Sequence, residues 1–133
     1  MSEQSSGFPQ SGGCLCGRIR YRLLAPPLWT GYCHCASCRR ATGSVGVAYA
    51  GFRHQNVVFD REPATFESSP GVTRSFCPAC GTPLVYRSTR WPDETHILVG
   101  SMDNPETCPP ANHFYASEQV SWLHLDDGLP RHN

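Results

Sequence analysis

The chain contains no lysine: all 11 basic residues are arginine, and they balance 11 acidic residues to a formal charge of zero. The arginines are scattered, with only Arg39 and Arg40 adjacent. No basic stripe is therefore available to follow a phosphate backbone, which argues against bulk electrostatic binding of nucleic acid. Long apolar runs are also missing, and nothing approaches the ~20 residues that a membrane-spanning helix needs. Residues 1–10 are polar, carry Glu3, and lack the basic and apolar regions of a signal peptide. The expectation is a cytoplasmic protein in a reducing compartment, where disulfides are rare. Leu, Ile, Val and Phe are scarce, 25 of 133 residues, just under the ~20% level at which a packed core becomes doubtful. Balanced charge, three Trp and five Tyr oppose disorder. What remains is one folded domain with a thin core and an additional staple.

Turn formers are plentiful, with 12 Gly and 12 Pro. Across residues 18–24, Ile19, Tyr21 and Leu23 alternate with Arg18, Arg20 and Arg22, the period-two pattern of a half-buried strand. Further short strands are expected at 28–32, 45–52, 57–59, 64–68, 72–76, 84–86, 96–99, 113–115 and 120–123, with one short helix at 36–42. Many short strands at close spacing predict a mainly β domain of antiparallel strands. Residues 1–11 are expected as a flexible leader, 12–130 as the single domain and 131–133 as a tail, with 126–133 as a whole loosely attached.

Against these absences stand eight cysteines, seven of them in three clusters: Cys14 and Cys16; Cys33, Cys35 and Cys38; Cys77 and Cys80. Short C-x-C and C-x-x-C turns bring thiolates onto one zinc tetrahedron at little entropic cost. Gly81 after Cys80, Gly17 after Cys16, and Gly12-Gly13 before Cys14 are expected to supply the left-handed residues of such turns. Zinc doublets about sixty residues apart would tie the first strand to the middle of the chain, the staple a thin core calls for. Seven thiolates do not divide into two four-ligand sites. Either a closed four-thiolate site stands beside an open three-thiolate one, or a histidine or Cys108 completes the second. An open position distinguishes catalytic from structural zinc. Cys108, alone in a proline-rich loop, is expected to be a lone thiol.

The stretches from Gly12 to Tyr21, from Cys33 to Ser44 and from Arg74 to Leu84 together resemble the glutathione-dependent formaldehyde-activating enzyme family, which also includes centromere protein V. Val99-Gly100-Ser101-Met102-Asp103, Pro110-Ala111-Asn112-His113 and Trp122 extend the likeness over nearly the whole chain. The resemblance implies a β-rich, tent-like fold. It implies a structural zinc on Cys14, Cys16, Cys77 and Cys80, and a second zinc on Cys33, Cys35 and Cys38. It also implies a carbon–sulfur lyase that joins glutathione, or a similar small thiol, to formaldehyde or another small aldehyde.

Three thiolates already make the second site anionic, which favours binding of a thiol over strong activation of a carbonyl. Arg39 and Arg40 beside Cys38 are candidates for gripping a peptide carboxylate, or are solvated surface charges. His34, between two ligands, must point away from the metal. His113 is expected in packing or a buried hydrogen bond, and His54, His96, His124 and His132 as surface or strand residues. Trp29, Tyr49, Trp91 and Trp122 are candidates for a pocket wall or for core filling. No general base is evident near the clusters. That gap keeps open an alternative, a non-catalytic zinc module that binds glutathione or a protein partner.

Overall fold

The computed structural model describes residues 7–133. In chain order its elements are β1 (Gln10–Gly13), β2 (Arg20–Leu23), β3 (Trp29–Cys33), α1 (Ala36–Thr42), β4 (Val47–Arg53), β5 (Val57–Phe59), β6 (Ala64–Ser69), β7 (Val72–Phe76), β8 (Pro83–Ser88), β9 (Glu94–Leu98) and β10 (His113–Phe114), joined by turns and short 3₁₀ segments. The protein is mainly β, as its short, turn-bounded apolar runs predict. A three-stranded sheet runs β1-β2-β5, and a seven-stranded sheet runs β10-β3-β4-β9-β8-β7-β6. All neighbours are antiparallel except β10, which lies parallel to β3.

The main core lies between the sheets. Tyr21 and Leu23 of β2 meet Ala50 and Phe52 of β4, Leu84 of β8 and Ile97 of β9, all buried. Strand side chains alternate faces, so the intervening residues of the large sheet emerge on its far side. There Tyr49 and Val47 of β4 join Cys38 of α1 in a second buried cluster, flanked by Trp29, Tyr86 and Leu98. One sheet thus separates the core that holds the fold from a face available for chemistry.

Several expectations need correction. β1 was not foreseen, and it begins at Gln10 inside the expected leader. Phe8 packs its ring 5.9 Å from that of Phe52, so residues 7–11 are built into the fold, while residues 1–6 lie outside the described residues. Residues 120–123 form no strand but a turn, with Leu123 N–H donating to the Val120 carbonyl. The end of the chain is not loose. His113 N–H donates to the Pro130 carbonyl at 2.8 Å and His132 N–H donates to the His113 carbonyl at 2.7 Å. The 126–133 segment thereby docks beside β10, which has only two residues and needs a second partner to be held.

Candidate functional site

The sulfurs of Cys14, Cys16, Cys77 and Cys80 lie within 4.8 Å of one another. Cys14 follows β1 and Cys77 follows β7, so the cluster joins the two sheets at one end. Gly17 and Gly81 take φ of 82° and 81°, the left-handed turns expected of them. Gly12 and Gly13 do not. They lie in β1, where a Cβ on Gly12 would overlap the Tyr21 phenol and one on Gly13 the Ile19 carbonyl. Their requirement is close approach, not a positive φ. Backbone N–H groups point at the sulfurs, Ile19 to Cys14 at 3.3 Å and Cys80 to Cys77 at 3.4 Å.

The second cluster is Cys33, Cys35 and Cys38, again within 4.8 Å. Its spacing follows from local structure: Cys33 ends β3, Cys35 caps α1, and Cys38 sits in the first turn. Cys38 N–H donates to the Cys35 sulfur at 3.3 Å. The helix start is tied further by Ala36 N–H donating to Glu118 Oε1 at 2.9 Å.

Both clusters fit a soft cation. Sulfurs about 2.3 Å from a tetrahedral zinc stand about 3.8 Å apart. Cys14–Cys16 at 3.6 Å, Cys16–Cys77 at 3.8 Å and Cys33–Cys35 at 3.5 Å match that spacing. Without a cation, thiols so close cannot all ionise. Thr82 hydrogen bonds hold Cys80 down to about 5, whereas Cys16, despite the Arg18 backbone bond that favours its thiolate, is pushed up to about 11 by burial and its neighbours. Hydrogen bonds from Cys33 and Cys35 hold Cys38 down to about 2 against burial, with help from Tyr49 and Arg74, and its partners raise Cys33. Cys108 joins neither cluster. It is buried in the main core beside Thr107.

The three-cysteine cluster opens on a cavity of about 670 Å³ on the far side of the large sheet, within the range of small-molecule sites. One cross-strand row builds much of its wall: Trp29 pairs with Gly51, Gly51 with His96, His96 with Tyr86, and Tyr86 with Arg74. Residues paired across antiparallel strands share a face, so five strands deliver this row to one surface. Gly51 leaves room for Trp29 to lie across β4, where its ring meets that of His96 edge-on at 4.7 Å. At the other end Arg74 spans the Tyr86 ring at 5.1 Å and donates to the Cys38 sulfur at 3.7 and 3.8 Å. Tyr49 O–H donates to the same sulfur at 3.3 Å.

Of the residues singled out from the sequence, Trp29, Tyr49 and Trp91 line the cavity. Trp122 does not line it and is exposed. Arg39 and Arg40 are absent from the lining, and the cavity guanidinium is Arg74. His34 does point away from the cysteines, into a buried pair with His113. His96, expected on the surface or in a strand, is a strand residue of β9. It is buried in the cavity wall with Nε2 2.9 Å from Glu94 Oε1. Arg74 opens the family-like stretch around Cys77 and Cys80, but nothing local gives Arg74, Tyr86 or Glu94 a place in the cavity; the sheet register brings them together. Among the described residues no helix is long and apolar enough to cross a membrane.

The model of the glutathione-dependent formaldehyde-activating enzyme family matches residues 9–118. A Halomonas elongata protein, provisionally named as an enzyme of that kind, is 29% identical over 126 residues, covering 86% of this chain and 80% of the relative. An uncharacterized lyase of Schizosaccharomyces pombe is 30% identical over 78 residues, covering 59% of this chain and 57% of the relative. A crystal structure of a Rhodobacter sphaeroides protein shares the fold with a TM-score of 0.57 at 18% identity, covering 92% of this chain and 99% of that one.

Proposed function

The chain belongs to the glutathione-dependent formaldehyde-activating enzyme family, and on that premise we propose that it is a zinc-dependent carbon–sulfur lyase. Its substrate would be the adduct of glutathione, or a similar small thiol, with formaldehyde or another small aldehyde. The observation that carries the reading is the contrast between the clusters. Four cysteines close one site at the edge of the sheets, while three on a cavity wall have no fourth thiol in their group.

The sulfurs of Cys14, Cys16, Cys77 and Cys80 would hold the structural zinc, and those of Cys33, Cys35 and Cys38 the second. Zinc in the three-cysteine site would supply a position at which a bound thiol ionises near neutral pH. The protein's own groups prepare that position. Arg74 and Tyr49 both donate to Cys38 and keep its charge compensated on a buried wall. Trp29, Tyr86, Trp91 and Phe114 line an apolar cavity that limits water around the reacting atoms.

Zinc analysis with and without glutathione tests the assignment. The expected result is one zinc in each cluster, with only the three-cysteine site altered by the thiol. A single closed zinc indifferent to glutathione would sink the lyase reading and leave a structural zinc module.

A further inference from the structure

We propose that His96 carries the proton in this cavity, taking it from the thiol as it binds and returning it to the aldehyde oxygen as the carbon–sulfur bond forms. The inference rests on the thiol–aldehyde reading above and adds the general base that reading lacks.

His96 stands on β9 in the same cross-strand row as Arg74, with only Tyr86 between them. Its ring is fixed on three sides: stacked on Tyr86 at 5.5 Å, edge-on to Trp29 at 4.7 Å, and beside Trp91 at 5.6 Å. Nε2–H donates to Glu94 Oε1 at 2.9 Å, and Trp29 Nε1–H donates to the same oxygen at 3.1 Å. That bond assigns the tautomer, so the lone pair is on Nδ1. Nδ1 has no hydrogen-bond partner among the described residues, and His96 lines the cavity. A carboxylate that orients an imidazole whose other nitrogen is free is the arrangement of a general base.

Other cavity groups are less suited. Burial raises Tyr49 and Tyr86 away from neutrality. Glu118 is committed to the start of α1, and His132 to Asn112 and the face of Phe114. His34 and His113 are not in the lining. The charged and titratable groups around His96 are Glu94 on its own strand, Tyr86 on β8, Arg74 on β7, Cys38 on α1 and Arg90 against Trp91. Burial outweighs the attraction of Glu94 and Cys38 and lowers the pKa of His96, leaving a neutral base at pH 7. The sign follows: base activity is full above the ordinary histidine range and is lost as pH falls through the lowered value.

The step balances without an oxidant or reductant. Nδ1 takes the proton that the thiol loses on binding, and the thiolate sulfur then bonds to the carbonyl carbon. The carbonyl π pair moves to oxygen, and the imidazolium returns the proton there, giving the hydroxyalkyl thioether. The lyase direction is the reverse.

The test uses zinc-loaded protein with glutathione and ¹³C-formaldehyde, reading adduct exchange by NMR across pH and proton release on glutathione binding by calorimetry in two buffers. Wild type is expected to accelerate exchange with an acidic limb below pH 6.5. His96→Gln should slow exchange about a hundredfold and flatten that limb. It should also release about one more proton per thiol bound, with zinc content unchanged. Glu94→Gln, which keeps the ring, should give an intermediate loss and guards against a folding artefact. Wild-type exchange that His96→Gln leaves within twofold, with unchanged proton release, overturns this proposal alone. No acceleration by wild type overturns the lyase reading and the proposal with it.

Discussion

The rings of His34 and His113 stack with centroids 5.1 Å apart and share a hydrogen bond of 2.9 Å between Nε2 and Nδ1, both side chains fully buried. His113 passes the connection on, with Nε2–H donating to Asp127 Oδ2 at 2.9 Å. His34 is the residue between Cys33 and Cys35, so the docked end of the chain reaches the three-cysteine loop through two imidazoles. Asp127→Asn or His113→Ala should therefore loosen that loop without touching Cys14, Cys16, Cys77 or Cys80. The expected result is about tenfold weaker retention of metal at the three-cysteine site, read as faster loss of one metal to a chelator while the other stays. Equal loss from both sites would show that the chain end stabilises the fold generally.

The two clusters should also differ in what their loss does. Cys77 is buried where the sheets meet, and a structural zinc contributes on the order of 10 kcal/mol to a small domain. Cys77→Ser should abolish cooperative unfolding by circular dichroism. Cys33→Ser, on the cavity side, should leave a cooperative transition and remove the response to glutathione. If both variants unfold alike, the division into structural and catalytic sites is wrong.

Much of this organisation was legible from sequence because it is local. The short helix expected at 36–42 is α1 at those bounds, which puts Cys38 in its first turn. Cys33 as the end of β3 and Cys35 as the cap of α1 come instead from the structure. The alternation of Ile19, Tyr21 and Leu23 correctly marks a core face. The site's other groups depend on register between distant strands. Nothing near Arg74 announces that β8 aligns it with Tyr86, or that β9 then sets Tyr86 against His96. β1 was hidden for a different reason: Gln10, Ser11, Gly12 and Gly13 have no β-forming side chains, and the strand exists because Tyr21 needs a partner lacking a Cβ. The docked end was missed because its hold on His113 is mostly backbone hydrogen bonding, which leaves no mark in composition.

Arg74 makes a third prediction. Its guanidinium is buried, and the groups it meets are the Cys38 sulfur, Ser68 and the Tyr86 face. Arg74→Met would leave a buried thiolate without its countercharge, a defect that typically costs about 3–5 kcal/mol. The pKa of Cys38 should rise, since the attraction of Arg74 is one of the influences that lower it. Alkylation of the metal-stripped protein reads this directly: the Cys38 thiolate fraction should fall at a given pH in Arg74→Met. Arg74→Lys should restore part of it, because charge is kept while the planar contact with Tyr86 is lost.

Gly51 makes the last prediction, because its role is to have no side chain. It pairs with Trp29 on one side and His96 on the other, and the Trp29 indole occupies the space its Cβ would fill. In Gly51→Ala the indole must move, since the alternative is displacement of β4, the strand that carries Ala50 and Phe52 into the core. Overpacking of this kind costs about 1–3 kcal/mol, so the fold should survive with a lowered melting temperature. Moving the indole breaks its hydrogen bond to Glu94 and its edge contact with His96. Tryptophan fluorescence should change and glutathione should bind more weakly, while both metals are retained. Trp29→Phe, which narrows the ring and removes the N–H, should relieve the crowding when combined with Gly51→Ala. A double variant no more stable than Gly51→Ala alone would show that the strain is taken up by β4 rather than by the indole.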